Sequence, residues 1–371
     1  MPEKTVETIK NDSSASASRL EILRRKRRAL GLSFILITDP VDVAYISGFL
    51  STNAALLISS RTNYLLTDFR YHGLATEFCT RRPEWIYRPI NKSMAETIAS
   101  YLTKESVVGF QSDRFVVDDF QKLKRRSRGV RFTGIGAAIN EILCVKRSDE
   151  ISAMKRAARI GDRAFGEVVK DLQPGITEQQ LARRLDRLCL DLGSQKPSFD
   201  TIVLFGEHSA LPHGIPGKKK LKRGDLILID FGCTVDGFCS DMTRTVILGP
   251  STARQRQLYE IVRDAQLYAR KNARPGMSAR AIDALARGCI EEKGYGDAFG
   301  HALGHGVGRR IHEAPRISMH ETALIREKTV FTIEPGIYLP EYGGIRIEDM
   351  VVMEQQRARL LTHSPRELIE L

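Results

Sequence analysis

Asp230–Thr245, DFGCTVDGFCSDMTRT, follows directly on the apolar run LILI and carries Asp236-Gly237 between two β-compatible flanks, the signature of a two-residue hairpin loop. With that loop Val235 faces Phe238, which sets Asp230 opposite Thr243 and Asp241 opposite Gly232; a bulge would shift the register by one. Asp230 and Asp241 then share a face as diagonal neighbours, roughly 7–8 Å apart at Cα. Two carboxylates aimed at one spot repel unless one is protonated or a cation sits between them. Taken alone, the hairpin fits an acid pair splayed into solvent equally well, so residues elsewhere must decide.

Those residues lie toward the C-terminus. FGHALGHGVGRRIHE (Phe299–Glu313) contains His301, His305 and His312. Spacing of four between His301 and His305 would align them on a helix, but Gly304, Gly306 and Gly308 argue for an extended or looped segment. TIEPGIY (Thr332–Tyr338) places Glu334 at the end of an apolar strand, with Pro335-Gly336 turning the chain. After a turn expected at Gly343-Gly344, IRIEDM alternates, which puts Arg346 and Glu348 on one face and Ile345, Ile347 and Asp349 on the other.

The hairpin also belongs to a repeat. A helix begins at Ser148, Pro174-Gly175 stops it, and Thr177 with Gln180 has capping-box spacing for the next helix. About a hundred residues later Thr252 with Gln255 repeats that spacing, and Pro275-Gly276-Met277-Ser278 caps a further helix. Each helix pair is followed by β-like sequence, at 201–248 and again at 330–353. The pattern predicts a duplicated unit of two helices and strands, with ligands gathered at the seam between the halves.

Upstream, residues 1–17 are polar, rich in Ser and Ala, and expected to be disordered. From Ser18 helices interleave with short strands: a basic helix 18–30, strands at 34–38, 55–59, 63–67, 85–88 and 107–110, and helices after Pro40, from Ser93 and over 116–126. This texture predicts a three-layer α/β domain over 18–138, ahead of an α+β domain over 139–371.

Composition narrows the class. The chain has 371 residues, 42% hydrophobic and 27% charged, as an ordinary soluble globular protein does. Neither a membrane-length apolar run nor a signal-peptide core is evident, so a cytoplasmic protein is expected. The six scattered cysteines suggest reduced packing residues, with no disulfide framework or cysteine zinc site. Much of the net charge of +12 lies in the runs 24–28, 122–128 and 218–223. Without a nucleic-acid motif or interleaved aromatics these read as solvated faces, and nucleic-acid binding is not expected.

Asp230, Asp241, His305, Glu334 and Glu348 together give four carboxylates and one imidazole at or near strand ends. Each alone reads as a surface or satisfied polar residue. Four anions converging on a buried site need neutralising, and oxygen-rich ligation with one nitrogen suits two divalent ions, manganese first, with cobalt, iron or zinc also suitable. A metal pair activates water and polarises a carbonyl, which favours hydrolysis.

These motifs resemble the pita-bread metallopeptidases, the family of Xaa-Pro aminopeptidase, prolidase and methionine aminopeptidase. The resemblance runs from about residue 146 to the end, and the preceding region is similar to the creatinase/prolidase N-terminal domain. It implies that Asp230, Asp241, His305, Glu334 and Glu348 hold a two-metal centre. It also implies that His213 of SALPHG (Ser209–Gly214) sits near the substrate amide, that His301 and His312 contact substrate or the tetrahedral intermediate, and that Arg346 orients Glu348 or the substrate end. Glu334 would handle the proton of the attacking water, with His213 and His312 donating to the substrate amide or developing oxyanion. SALPHG, the RIED element and the extra N-terminal domain look like the Xaa-Pro branch. Leu204-Phe205 before Gly206 and Ile311 before His312 depart from the common pattern. The expected activity is Xaa-Pro aminopeptidase, with prolidase as the alternative; the expected partners are a peptide with proline second and a second copy of the chain. Methionine aminopeptidase and a catalytically silent binding module are the rival readings.

Overall fold

The structure, a computed structural model, describes residues 18–371. The expected disordered tail at 1–17 lies outside the described residues. The chain divides into two units, one ending at Leu143 and the other spanning Cys144–Leu371.

The first unit runs α1 (Arg19–Ala29), β1 (Phe34–Ile37), α2 (Pro40–Ser47), β2 (Ala54–Ile58), β3 (Asn63–Thr67), α3 (His72–Arg81), β4 (Ile86–Pro89), α4 (Met94–Ala99), β5 (Val107–Phe110), α5 (Val117–Arg126), β6 (Arg131–Gly134) and α6 (Gly136–Cys144). Its six strands form one mixed sheet in the order β4-β3-β2-β1-β5-β6. Every residue of β2 is buried, so the sheet is covered on both faces. Local signals set the ends of elements. Ser18 Oγ accepts the Glu21 N–H while Glu21 accepts the Ser18 N–H, closing a capping box on α1. Asp39 caps α2, with Pro40 in the first turn and Gly48 ending it at φ +85°.

The second unit contains two halves. In the first, α7 (Ser148–Val168) and α8 (Glu178–Asp191) pack on the sheet β11-β8-β7, built from β7 (Ile202–Phe205), β8 (Leu226–Phe231) and β11 (Met242–Ile247). Between β8 and β11 the chain forms a small ladder of β9 (Thr234–Val235) and β10 (Phe238–Cys239). In the second half, α9 (Ala253–Asn272) and α10 (Ala279–Glu291) cover a five-stranded sheet. That sheet comprises β12 (Gly304–Gly306), β13 (Glu313–Ile317), β14 (Val330–Ile333), β17 (Asp349–Met353) and β18 (Ala358–Leu360), in the order β13-β12-β14-β17-β18. β15 (Gly336–Leu339) and β16 (Gly343–Arg346) form a separate hairpin. Capping boxes at Thr177/Gln180 and Thr252/Gln255 start α8 and α9.

Asp236 and Gly237 have φ of +52° and +74°, as a type I′ turn requires. The register runs unshifted through both ladders: Val235 faces Phe238, and Asp230 faces Thr243. Along β8, Ile227, Ile229 and Phe231 enter the core under α7 and α8, so Asp230 points to the other face. Two details differ from the sequence reading. The turn falls at residues 340–342, because Gly343 and Gly344 belong to β16, where a Cβ on Gly344 would collide with the Ser209 carbonyl. The IRIEDM segment is not one strand either. β16 ends at Arg346 and β17 begins at Asp349, since β16 pairs with β15 while β17 pairs with β14.

The halves are stitched along β11. Glu348 N–H donates to the Thr243 carbonyl at 3.1 Å, and Arg346 N–H donates to Thr245 Oγ1 at 3.2 Å. All six cysteines are free thiols. Among the described residues no helix is long and apolar enough to cross a membrane.

Candidate metal centre

Five side chains converge across this seam, each placed by a strand end or a short strand. Asp230 is next to last in β8 and Asp241 immediately precedes β11. His305 is the middle residue of β12, Glu334 follows β14, and Glu348 precedes β17. The glycines beside His305 let the backbones approach, because a Cβ on Gly304 would collide with the Thr332 carbonyl and one on Gly306 with that of Ala314. This is why the segment is extended and not helical. His305 Nε2 lies 3.4 Å from Asp241 Oδ2 and 3.4 Å from Glu334 Oε1. Asp241, His305 and Glu348 each present a ligand atom, all within 4.8 Å of one another. Asp230 joins through Arg346, whose Nη2 donates to Asp230 Oδ2 at 2.6 Å.

The acids are deeply buried: Asp230 is 8% exposed, Asp241 4% and Glu348 1%. Burial, with Glu348, Asp230 and Glu334 as neighbours, pushes the Asp241 carboxyl well above its ordinary range. Burial and the charges of Glu334 and Asp230 do the same to Glu348, and burial with Asp230 nearby brings Glu334 up to about 7. Burial also holds His305 below the usual imidazole range, leaving a neutral nitrogen donor. Arg346 is the cation paired directly with these acids, and it contacts one of them. Asp230 Oδ1 and Glu348 Oε1 are buried with no hydrogen-bond partner. Orphaned carboxylate oxygens inside a cluster of like charge, beside a neutral imidazole, are a donor set that fits hard or borderline divalent cations.

Residues 152–355 match metallopeptidase family M24, and residues 19–143 match the creatinase/prolidase N-terminal domain. The chain belongs to metallopeptidase family M24. It is a pita-bread metallopeptidase of the prolidase branch and a metal-dependent peptidase, and membership implies divalent ions. An Xaa-Pro dipeptidase from Pyrococcus furiosus is 35% identical over 95% of this chain and 99% of its own length. An Xaa-Pro dipeptidase from Bacillus anthracis superposes with a TM-score of 0.90 at 33% identity, covering 95% of this chain and 99% of that one. An X-Pro aminopeptidase from Thermotoga maritima gives 0.86 at 34% identity, covering 96% and 100%.

Around the acids this M24 peptidase has a hydrogen-bonded frame. Thr243 Oγ1 donates to Glu348 Oε2 at 2.6 Å and accepts from Arg346 Nε at 3.0 Å. Arg346 thus reaches Glu348 only through Thr243, while its direct carboxylate partner is Asp230. Arg346 Nη1 donates to the Tyr338 hydroxyl at 2.7 Å, and Tyr338 bonds His301 Nε2 at 3.0 Å. Thr332 Oγ1 donates to Glu334 Oε1 at 2.9 Å and accepts the His305 N–H at 3.0 Å. Burial and Arg346 lower His301 to about 4, so it is a neutral partner to Tyr338. Behind it, the buried Asp283–Arg287 pair of α10 anchors the strand lead-in: Arg287 donates to the Phe299 and His301 carbonyls, and Asp283 accepts the Leu303 N–H.

His312 stacks edge-on against His305, ring centroids 4.3 Å apart, and is exposed at the mouth of the centre. His213 lies on an exposed loop, makes no hydrogen bond to the acids, and is close enough for its charge to act on His301, His312 and Glu334. Its loop is held by Arg346 Nη1, which donates to the Pro212 carbonyl at 3.4 Å, and by Glu178. The buried Glu178 carboxylate accepts the Phe205 and Gly217 N–H groups and contacts His208 Nδ1 at 2.8 Å. Thr243, Thr332, Tyr338 and Glu178 were not singled out by sequence. Thr243 and Thr332 share strand parity with Asp241 and Glu334, and Tyr338 shares the Arg346 face of the β15–β16 hairpin, which are the signals that would have found them. Asp349, beside Glu348, faces away: Arg244 and Arg366 hold its fully buried carboxyl below the ordinary range.

Proposed function

We propose that the protein hydrolyses the Xaa-Pro bond at the N-terminus of peptides, using two divalent ions, manganese by preference, held by Asp230, Asp241, His305, Glu334 and Glu348. The observation that carries this reading is the convergence of four carboxylates and one neutral imidazole with two buried carboxylate oxygens unpartnered. Bound there, the ions supply charge neutralisation and Lewis-acid activation of water and of the scissile carbonyl. Glu334, oriented by the hydrogen bond from Thr332, would accept the proton of the attacking water. Arg346 fixes Asp230, and Tyr338 fixes Arg346 and His301. His312 and His213 at the mouth donate to the substrate amide or to the developing oxyanion. A tertiary Xaa-Pro amide has no N–H, so the site must accept the proline ring by shape; a secondary amide would bury an unpaired donor at about 1–3 kcal/mol.

The names of the Pyrococcus and Bacillus relatives favour dipeptides as the preferred length, and that of the Thermotoga structure favours longer peptides. Assaying an Xaa-Pro dipeptide, an Xaa-Pro tripeptide and a Met-Ala peptide side by side with added manganese decides among these. Cleavage of the Xaa-Pro pair over Met-Ala is expected, and the dipeptide-to-tripeptide ratio separates prolidase from aminopeptidase. Absence of any Xaa-Pro preference in metal-loaded protein refutes the reading. Chelation should abolish activity and manganese or cobalt restore it; His213→Ala should cut turnover and keep metal, whereas Asp241→Asn should lose both.

A further inference from the structure

A second concavity lies in the Cys144–Leu371 unit, with a volume of about 1040 Å³, at the upper end of what small-molecule sites occupy. It stands apart from the acids. β14 and β17 pair antiparallel, with Val330 opposite Val352 and Ile333 opposite Asp349. Val352 and Met353 line the cavity, while Glu334 and Glu348 flank the Ile333/Asp349 end. Three residues of strand, about 10 Å, separate the two places.

The lining is cationic. Lys155 enters from one face of α7, together with Ser148 and Ile151. Arg270, Lys271 and Arg274 come from the end of α9 and the residues just after it, Lys328 and Arg357 from the segments leading into β14 and β18, and Arg359 from β18 itself. Against these seven cations stand two acids, Glu327 and Glu354, a formal balance of five positive charges. Two cations are accounted for internally: Glu354 pairs with Arg359 at 2.6 Å, and Arg274 Nη1 caps α9 through the Lys271 and Ala273 carbonyls. Among the described residues, Lys155, Arg270, Lys271, Lys328 and Arg357 make no side-chain hydrogen bond or ion pair. Arg270 Nε is buried and unpartnered. A solvated basic face spreads its charges outward, whereas here they share one concave space. Burial and Arg359 disfavour the charged form of Lys155, and burial and Arg366 that of Arg270. The α9 C-terminal carbonyls relieve part of this repulsion but act only within the last turn.

We propose that this cavity binds a linked chain of phosphoryl groups, the chemistry shared by inorganic polyphosphates and nucleoside polyphosphates. Guanidinium forks match phosphoryl oxygens in pairs, and several converging cations select a dense polyanion over a single carboxylate. No aromatic side chain lines the cavity, so nothing there stacks a base; the phosphoryl chain is the recognised part. The concavity opens to solvent, with Lys271, Arg274, Lys328, Arg357 and Arg359 exposed around it, and its volume suits a small polyanion.

The test is titration calorimetry on the full, manganese-loaded chain near physiological ionic strength, with magnesium tripolyphosphate, magnesium ATP and orthophosphate as probes; excess magnesium keeps the probes from stripping the metal centre. Tripolyphosphate and ATP should bind alike and orthophosphate far more weakly. Arg270→Ala combined with Arg357→Ala should weaken tripolyphosphate about ten-fold or more and leave peptidase turnover unchanged. Lys155→Gln with Lys271→Gln, two surface-reaching positions, repeats the test if the arginine pair folds poorly. The proposal is overturned by an absence of saturable binding at about 1 mM, or by affinity indifferent to both pairs of substitutions. ATP binding much tighter than tripolyphosphate, or duplex DNA displacing tripolyphosphate in a manner sensitive to the same substitutions, overturns it as well.

Discussion

Replacing Thr243 by valine removes one hydroxyl from the seam and keeps the β-branched shape that β11 requires. That hydroxyl donates to Glu348 Oε2 at 2.6 Å and accepts from Arg346 Nε at 3.0 Å. Each hydrogen bond to a charged group contributes about 1.5–3 kcal/mol, so the metal-loaded protein should lose about 3–6 kcal/mol. At about 2–4 °C per kcal/mol for a domain of this size, the melting temperature should fall by roughly 6 °C or more. In chelated protein the fall should be smaller. There burial and the neighbouring Glu334 and Asp230 favour the protonated form of Glu348, and a neutral acid loses only an ordinary hydrogen bond. The freed Glu348 carboxylate should also bind metal more weakly, by about ten- to a hundred-fold. Melting curves with and without chelator, alongside a manganese titration, check both statements. Equal melting shifts in the two states with manganese affinity unchanged would show that Thr243 does not organise the centre.

Three further outcomes are expected. In metal-free protein Glu334 has a folded pKa of about 7, above its unfolded value, so its contribution to stability is present at low pH and is lost as pH rises through about 7. Glu334→Gln should therefore gain stability relative to the parent as pH rises from about 4.5 to 7, with turnover abolished; a pH-independent difference would contradict this. Tyr338→Phe should lower turnover about ten-fold or more while metal content holds, since it unties Arg346 and His301 together, and unaltered turnover would remove Tyr338 from the frame. Asp349→Ala should destabilise by about 3–5 kcal/mol in urea unfolding, because it strands Arg244, and should leave manganese affinity intact; loss of metal instead would place Asp349 among the ligands.

What the sequence disclosed and what it withheld divide along range of interaction. The Asp236-Gly237 turn, the two capping boxes and the glycines around His305 act within a few residues, and their consequences could be read directly. The five converging side chains followed from strand ends and a repeat. β6 and α6 were not anticipated: β6 is a short, largely exposed edge strand with too few apolar positions to show a period. The break between Arg346 and Glu348 depends on two strands choosing partners in different sheets, which no local pattern encodes. The same holds for Arg346 finding Asp230. Thr243 and Tyr338 were visible in principle by parity, but a threonine and a tyrosine in strands read as packing residues until their partners are in place.

The five converging side chains are divided between the two halves of the repeat: Asp230 and Asp241 come from one, and His305, Glu334 and Glu348 from the other. A cation gripped from both sides ties together parts of the chain that are far apart in sequence, and so restricts the opened ensemble as a covalent bridge would. With an ion held as proposed, metal occupancy would be coupled to closure of the seam, and the coupling would be readable as slowed amide exchange at Glu348, whose N–H crosses to Thr243. In a protein whose six thiols are all unpaired, the ion would serve as a removable staple, set and released by metal supply instead of by redox state.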